Sequence, residues 1–298
     1  MLFPGQGSQF VGMGKDYYDA YPEARELYRE ANAALGFDIT ALSFSGEMEE
    51  LTRTSNAQPA ILLHSLVVLA VLAGRGVTPA LVAGHSLGEF SALAAAGFLR
   101  PLDALRIVRR RGELMYDAGL QRPGTMAAII GLDDTAVEAC AREAGGVVVV
   151  ANYNSPAQVA ISGEVAAVER ACELCRARGA KRALKLPVSG AFHSPLMEPA
   201  VPEFRAFLQA FPHGPLRVAW VANVTGEVES DPASVVDLLA RQLSSPVQWT
   251  RSMRTFAARK PVATYEVGPG AVLSGLMKRI VEGAETTSLS ACEALPAP

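Results

Sequence analysis

The chain has 298 residues, of which 50% are hydrophobic and 19% are charged. This composition is typical of a globular protein with a sizeable core, and it excludes a disordered or fibrous chain. The formal net charge of −3 excludes broad electrostatic attraction to nucleic acid, so an acidic partner would have to be bound through a local basic patch.

The amino-terminal segment MLFPGQGSQF lacks the basic leader, the apolar stretch and the small-residue cleavage site of a signal peptide. The longest uninterrupted apolar run, Leu66 to Ala73, is shorter than the roughly 18 residues that a membrane-spanning helix needs. Four cysteines are too few and too scattered for a disulfide framework. We therefore expect a cytoplasmic protein with reduced thiols.

Cys172 and Cys175 form a C-x-x-C sequence, which could be a redox pair or half of a metal site. The alternative is two small apolar side chains on one face of a helix. The chain has no second C-x-x-C and no histidine pair nearby. These absences favour the helical alternative, and no metal site is expected.

In chain order, apolar periodicity predicts alternating helices and strands, which is typical of an α/β architecture. The glycine-rich segment FPGQGSQ is followed by a predicted helix over 22–35. A long apolar stretch predicts a buried helix over 57–72, and a short strand over 80–83 leads into the sequence GHSLG. A small-residue helix is predicted over 89–97, and a further helix begins at Pro101, because proline is tolerated in a first helical turn.

Residues 124–188 follow a different pattern. Their predicted order of strand, helix, strand, strand, helix, strand is that of a ferredoxin-like unit, which folds as a small layer of its own. The strands are predicted at 125–131, 147–151, 158–162 and 182–188, and the helices at 133–144 and 164–178. We expect a hydrolase-like large subdomain with a parallel sheet, residues 1–123 and 189–298, an inserted small subdomain, and a substrate cleft between them. The last four residues, LPAP, are expected to fray.

The sequence GHSLG at 84–88 matches G-x-S-x-G, the nucleophile elbow. At such an elbow the chain leaves a strand and turns sharply into a helix, which exposes the serine hydroxyl, and the two glycines remove Cβ atoms that would clash. The helix also directs free N–H groups at the site. An ordinary surface turn would fit the same pattern, but the apolar strand before it and the Ala-rich helix after it favour Ser86 as a nucleophile.

A serine nucleophile needs a base, and the chain has four histidines. His64 lies in the apolar sequence ILLHSLVVL and is expected in the core, whereas His213 lies in a loop. His85 adjoins Ser86, but its side chain should point away from the serine at such a turn. His193 is therefore the better candidate, although elimination does not decide the assignment.

These motifs together resemble the malonyl-CoA:acyl-carrier-protein transacylases of fatty acid synthesis, and they are similar also to the acyltransferase domains of polyketide synthases. The resemblance covers nearly the whole chain in order. The matching segments are FPGQGSQ at 3–9, TSNAQPA at 54–60, GHSLGE at 84–89, ANYNSP at 151–156, GAFH at 190–193, RQL at 241–243, PVQW at 246–249 and YEVGPG at 265–270. One departure is that the family usually has a short strand before FPGQGSQ, which leaves the first strand in doubt here.

The resemblance implies a role for individual residues. Ser86 resembles the acylated serine, His193 the general base, and Arg111 the arginine that binds the malonyl carboxylate. The backbone N–H groups of Gln6 and Leu87 resemble the oxyanion hole.

Further positions match supporting residues of the family. Gln242 resembles the residue whose backbone carbonyl holds the histidine ring in place of a triad acid, and Asn152 resembles a residue lining the thioester channel. Phe192 would crowd an α-methyl group, because a bulky aromatic before the histidine tends to accompany malonyl, although fatty-acid members often carry serine there and still take malonyl. Two basic pairs match the family's carrier-docking surface and would lie on opposite sides of the cleft. The first pair is Lys181 and Arg182, and the second is Lys278 and Arg279. The alternative is that these are solvated charges without a partner.

The periodicity of the helix after Pro101 bears independently on Arg111. The apolar face is marked by Leu102, Leu105, Val108, Gly112 and Met115. Arg111 lies along this face, and an arginine directed inward needs an anionic partner. Its planar fork suits a carboxylate. The alternative is an internal salt bridge, for example to Glu113 or Asp117.

The implied activity is transfer of a malonyl group from malonyl-CoA to the phosphopantetheine thiol of acyl carrier protein through an ester on Ser86. No cofactor is expected, because the glycine-rich segments lack the last glycine of G-x-G-x-x-G and a P-loop lysine. One alternative is a stand-alone polyketide acyltransferase. A second is a serine hydrolase, which would need an Asp or Glu in a triad. A third is a non-catalytic acyl-binding module, which would not need Ser86, His193 and Arg111 together. We expect a monomer that binds neither nucleic acid nor membrane.

Overall fold

The computed structural model describes residues 1–296. Its strands and α-helices in chain order are β1 (Leu2–Phe3), α1 (Lys15–Ala20), α2 (Pro22–Leu35), α3 (Ile39–Ser45), α4 (Met48–Thr52), α5 (Thr54–Gly74), β2 (Leu81–Gly84), α6 (Gly88–Ala95), α7 (Pro101–Gln121), β3 (Gly124–Ile130), α8 (Asp134–Ala144), β4 (Val148–Ser155), β5 (Gln158–Glu164), α9 (Val165–Ala177), β6 (Arg182–Lys185), α10 (Val201–Gln209), β7 (Ala219–Val221), β8 (Val228–Glu229), α11 (Pro232–Gln242), α12 (Trp249–Ala258), β9 (Tyr265–Glu266), α13 (Val272–Ile280) and β10 (Thr287–Ser288). The predicted fraying of LPAP falls partly on residues 297–298, which lie outside the described residues.

A six-stranded sheet has the order β10-β9-β1-β2-β7-β8, and its strands are parallel except for β8, which is antiparallel to β7. The first strand, doubtful from the sequence, is present as Leu2–Phe3 between β9 and β2. Helices cover this sheet, as parallel strands buried on both faces require. The mixed α/β prediction is confirmed.

A second, antiparallel sheet has the order β4-β5-β3-β6. Alternate residues such as Ile129, Val159 and Ala183 face α8 and α9 in a separate small core, which also contains Cys140, Cys172 and Cys175. All four cysteines are free thiols. The C-x-x-C cysteines therefore act as small apolar side chains on the buried face of α9, as the helical alternative predicts.

The boundaries of two predicted strands in this sheet were wrong. β4 runs on to Ser155 because its pairing with β5 continues as far as Ser155 and Gln158, and the carbonyl of Val247, a residue distant in sequence, also accepts from the N–H of Tyr153 at 3.0 Å. The N–H of Val247 in turn donates to the carbonyl of Ala151 at 2.8 Å. β6 ends at Lys185, and Leu186 and Val188 beyond it pack against the large core.

The buried helix predicted over 57–72 is α5, which is longer at both ends. Its 21 residues have a mean hydropathy of 1.9 in the most apolar window, so by length and composition it could cross a membrane, contrary to the sequence-based expectation. However, 78% of that window is buried inside the protein, and α7 is one of the elements packed on it. Helix α5 therefore has the burial of a core helix.

Helix α7 packs closely on α5 and carries Arg111 inward. A Cβ atom on Gly112 would lie 2.7 Å from the Cα of Ser55, so glycine is what allows the two backbones to approach. The predicted apolar face is buried except for Leu102, which is half-buried, whereas Arg106 is exposed. Arg111 is 1% exposed. The packing of α7 on α5 thus fixes the side of the helix on which the guanidinium lies.

Candidate active site

Ser86 lies in the turn between β2 and α6, at the carboxyl end of a central strand of the parallel sheet. Its backbone has φ of 50°, a left-handed conformation that is rare for serine. A Cβ on Gly84 would lie 1.9 Å from the carbonyl oxygen of Gly88, and one on Gly88 would lie 2.0 Å from that of Phe3. The Ser86 N–H is held by the Oδ1 of Asn223 at 2.7 Å. The strained turn is thus fixed by close backbone packing and by one buried amide.

The Oγ of Ser86 lies 2.8 Å from the Nε2 of His193. The Nδ1 of His193 lies 2.7 Å from the backbone carbonyl of Gln242. Because a carbonyl can only accept, Nδ1 carries the proton and Nε2 is left to accept one from Ser86. Burial, together with the positive charge of Arg111, lowers the pKa of His193 to about 3. The imidazole is therefore neutral at physiological pH and available as a base.

The other three histidines are placed elsewhere. His85 has its Nε2 2.8 Å from the Oδ1 of Asn154 rather than at the serine. His64 is fully buried, with its ring against that of Tyr17. The ring of His213 stacks on Phe98 with centroids 4.6 Å apart. The elimination made from the sequence thus agrees with the geometry, since His193 is the histidine that the fold brings to Ser86.

Gln6 and Leu87 line the cavity that contains Ser86, and the backbone N–H of neither residue donates to a protein acceptor within residues 1–296. Leu87 immediately precedes α6, where free N–H groups are expected. The glycine-rich loop approaches the elbow closely, because a Cβ on Gly5 would lie 2.4 Å from the carbonyl oxygen of His85. These two donors are therefore available to an oxyanion.

The guanidinium of Arg111 is fixed by neutral groups. Its Nη1 donates to the Oε1 of Gln58 at 2.8 Å, and its Nη2 donates to the Oε1 of Gln242 at 2.7 Å and to the Oγ of Ser86 at 3.2 Å. Burial lowers its pKa to about 10, so it remains charged at neutral pH. A positive charge therefore lies beside the candidate nucleophile.

The internal salt bridge considered as an alternative for Arg111 does not form. Glu113 pairs instead with Arg109 and Arg110, at 2.8 and 3.2 Å. Within residues 1–296, Arg111 has no carboxylate within salt-bridge distance, and its Nε has no acceptor. A buried arginine in this state can gain an anionic partner from a ligand.

A cavity of about 350 Å³ opens at these groups, between the two sheets. The parallel-sheet part supplies Ser86, His193 and Arg111, and the antiparallel sheet supplies Asn152 and Ala160. Asn152 is 6% exposed and lies in β4, at the point where this strand forms a parallel bridge with Val247. The remaining walls are largely apolar and include Met115, Met126, Val188, Phe192, Val272 and Leu276.

Comparisons with known proteins identify the family of this chain. Residues 1–296 match the family model described as acyl transferase domain. A curated relative from Salmonella typhimurium, "Malonyl CoA-acyl carrier protein transacylase", is 47% identical over 99% of this chain and 97% of its own length. The chain belongs to the malonyl CoA-acyl carrier protein transacylase family.

Solved structures of the family are also similar to the chain. The acyl carrier protein S-malonyltransferase from Vibrio cholerae has a TM-score of 0.95 and 42% identity, over 98% of this chain and 97% of its own. A malonyl-transacylase solved in complex with a type II PKS acyl-carrier protein has a TM-score of 0.96 and 40% identity, over 99% of this chain and 96% of its own.

Sequence analysis did not identify three buried polar residues that surround the site. Gln58 binds Arg111, Asn223 binds the elbow, and Glu89 accepts from Trp220 and from the backbone of Asn223. Gln58 and Glu89 lie within the family motifs TSNAQPA and GHSLGE and are polar residues in apolar helices, which could have been a signal. Asn223 lies in no motif that had been noted.

The two basic pairs are exposed. Lys278 and Arg279 end α13, and Arg279 donates to the Oε1 of Gln158, which lines the cavity. Gln158 and Arg182 both pair with Ile130 in the antiparallel sheet. Their backbones are therefore two strand spacings apart, about 10 Å. The fold thus brings the two pairs to one end of the cavity.

Proposed function

We propose that this protein transfers the malonyl group of malonyl-CoA to the phosphopantetheine thiol of acyl carrier protein, supplying fatty acid biosynthesis. The observation that carries the proposal is the position of Arg111, buried without a carboxylate partner and 3.2 Å from the Oγ of Ser86. A site that holds a positive charge beside a nucleophile favours an acyl group that is itself anionic. The names of the relatives support the same substrate and partner.

In the proposed acylation step, Ser86 attacks the thioester carbonyl as His193 takes the hydroxyl proton on Nε2. The N–H groups of Gln6 and Leu87 stabilise the oxyanion. The C–S bond then breaks, and His193 returns the proton to the CoA sulfur. The carrier thiol enters, gives its proton to His193 and attacks the ester, and Ser86 regains its proton as the product leaves. The reaction is ping-pong and needs no cofactor.

The backbone carbonyl of Gln242 holds His193 in this scheme, in the place where a hydrolase triad has an Asp or Glu. It lies 2.7 Å from Nδ1 and fixes the tautomer without adding charge. This arrangement argues against the serine hydrolase alternative. The stand-alone polyketide acyltransferase remains a second candidate, because a malonyl-transacylase bound to a type II PKS acyl-carrier protein has a TM-score of 0.96 with this chain.

Two subdomains would form the cleft in which this chemistry takes place. Residues 1–123 and 189–298 would be a hydrolase-like subdomain, and 124–188 a ferredoxin-like one. The strand order β4-β5-β3-β6, with two helices packed on one face, supports the latter assignment. We further propose that the protein works in the cytoplasm as a monomer.

Intact-mass analysis tests the proposed function. The protein should gain the mass of one malonyl group from malonyl-CoA, and the adduct should disappear when carrier protein with its phosphopantetheine arm is added. Transfer to carriers from fatty acid and polyketide systems, compared by kcat/KM, distinguishes the two candidates. A chain that gains no acyl mass from malonyl-CoA would contradict the proposal.

Charge reversal at the cavity mouth is expected to weaken binding of the carrier. Carrier proteins of this type are acidic, so the R182E and K278E variants should raise the apparent KM for carrier by about tenfold at low ionic strength. Acylation of Ser86 by malonyl-CoA should be nearly unchanged, and added salt should reduce the defect because exposed charges are screened.

The matched control is R259E, which makes the same charge change near Leu81, at the opposite end of β2 from Ser86. Its carrier KM should equal that of the wild type. An equal rise in KM for R259E, or no rise for R182E and K278E at low ionic strength, would place the docking surface elsewhere.

The Phe192 side chain is expected to exclude an α-methyl group. It is 5% exposed and lines the cavity next to His193. The wild type should therefore use methylmalonyl-CoA less efficiently than malonyl-CoA, and F192A should raise the methylmalonyl-to-malonyl ratio of kcat/KM by about tenfold, the usual effect of one methyl group in a pocket. A V272A variant, altered at the exposed mouth, should keep the wild-type ratio. Equal wild-type efficiency with both substrates would disprove this role.

A further inference from the structure

Glu89 is a buried carboxylate in the first turn of α6, three residues after Ser86, and it is 1% exposed. Its Oε1 accepts from the Nε1 of Trp220 at 2.8 Å and from the N–H of Asn223 at 2.7 Å. Its Oε2 accepts from the Nε2 of Gln242. Burial raises the pKa of Glu89 to about 7 even though these three donors favour the ionised form. The proposed reaction makes no direct use of this group.

The side chain of Gln242 connects Glu89 to the reacting groups. Its Nε2 also donates to the backbone carbonyl of Ser86 at 2.9 Å, and its Oε1 accepts from the Nη2 of Arg111 at 2.7 Å. A flipped amide would place its nitrogen against the guanidinium and its oxygen against both the carboxylate and the Ser86 carbonyl. The ionised Glu89 and the Ser86 carbonyl can both only accept, so together they select the orientation in which Gln242 presents an oxygen to Arg111.

We propose that Glu89 is a positioning residue that determines specificity for an anionic acyl group, by holding the Gln242 amide in the orientation that fixes the fork of Arg111. Two amide oxygens, those of Gln58 and Gln242, then set the plane of the guanidinium. Fixing the fork in advance reduces the entropy lost when a carboxylate binds to it. The inference rests on the proposed malonyl transfer and adds a determinant of its selectivity.

The charge of Glu89 acts in the same direction as its hydrogen bonds. Burial by itself disfavours the guanidinium cation, and the negative charge of Glu89 opposes that effect on Arg111. The carboxylate does this from behind Gln242, without a direct ion pair to Arg111. The fork thus keeps its charge and remains free to pair with a substrate carboxylate.

The isosteric variant E89Q tests the inference, because it places an amide nitrogen against the Nε2 of Gln242. The Nε2 of Gln242 should then keep the Ser86 carbonyl as its one close acceptor, so the amide should be held less firmly and the fork of Arg111 should lose a fixed partner. We expect the ratio of Ser86 acylation rates, malonyl-CoA over acetyl-CoA, to fall by about tenfold or more, since a charge-assisted hydrogen bond is lost. The matched control is S91A, which alters a buried hydroxyl on the same helix that has no hydrogen-bond partner within residues 1–296, and it should leave the ratio at its wild-type value.

A second variant shows whether Glu89 acts through Gln242. Q242L keeps the backbone carbonyl that binds His193 but lacks the amide, so it should show the same loss of selectivity, and adding E89Q to it should change the ratio no further. The double variant brings no two amide nitrogens together, so it also serves if E89Q alone does not fold. The inference is overturned if E89Q keeps the wild-type ratio, if S91A shifts it equally, or if the effects of E89Q and Q242L multiply. Failure of the wild type to take malonyl from malonyl-CoA would instead overturn the proposed function.

Discussion

A Ser86→Ala variant is expected to form no covalent malonyl adduct with malonyl-CoA and to transfer no malonyl group to carrier protein. Its Oγ is the hydroxyl that lies 2.8 Å from the neutral imidazole of His193, and no other group in the proposed scheme can hold the acyl chain. Loss of a serine nucleophile costs about 10⁶-fold in kcat in enzymes of this chemical type. Intact-mass analysis of both proteins, after mixing with malonyl-CoA, measures the effect.

The matched control for this experiment is Ser91→Ala. Ser91 lies on the same helix, α6, and its buried hydroxyl has no hydrogen-bond partner within residues 1–296. This variant should take up the malonyl mass as the wild type does. An undiminished adduct on the Ser86→Ala protein would show that the acyl group is carried elsewhere and would remove the basis of the proposed mechanism.

An Arg111→Ala variant is expected to lose malonyl transfer by a far larger factor than acetyl transfer. The substitution removes the partner of the malonyl carboxylate, whereas an acetyl group has no carboxylate to lose. A charge-assisted hydrogen bond is worth about 1.5–3 kcal/mol, so the loss in kcat/KM for malonyl-CoA should exceed that for acetyl-CoA by roughly 10- to 150-fold. Rates of Ser86 acylation by the two CoA esters give the comparison directly.

Two further variants make the result specific to the guanidinium. Arg110→Ala removes the adjacent arginine, which is paired with Glu113 and Glu203, and should leave the malonyl-to-acetyl ratio unchanged. Arg111→Lys keeps a charge but loses the planar fork, so it should fall between the wild type and Arg111→Ala. Equal losses for malonyl and acetyl in Arg111→Ala would show that the arginine supports the fold rather than the substrate.

Much of the site could be predicted because its central residues lie in short contiguous motifs. The GHSLG sequence specifies a local turn. A side chain on Gly84 would collide with the backbone of Gly88, about four residues away, and one on Gly88 would collide with Phe3 in the adjacent strand. The apolar periodicity of α7 likewise placed Arg111 on the buried face of its own helix. Local sequence was sufficient here because the steric conditions are themselves local.

The pairing of groups that lie far apart in the chain could not be predicted in this way. The Ser86–His193 and His193–Gln242 hydrogen bonds join residues separated by 107 and 49 positions, and from the residues themselves His193 was favoured only by elimination. Glu89 and Asn223 went unnoticed because one buried carboxylate or amide has no sequence pattern until its donors are known. The burial of α5 could not be predicted from its composition for the same reason, since it depends on the helices packed around it.

The amino-acid sequence by itself determined the α/β class, most of the helices and strands before residue 189, the nucleophile turn and the inward face of Arg111, because periodicity and turn chemistry act over a few residues. Only the tertiary structure decided that Arg111 has amide partners and, within residues 1–296, no carboxylate, that Val247 bonds to β4, and that Glu89 and Gln242 form one network with the nucleophile. These features depend on which distant segments meet, and the packing of the whole chain determines those contacts.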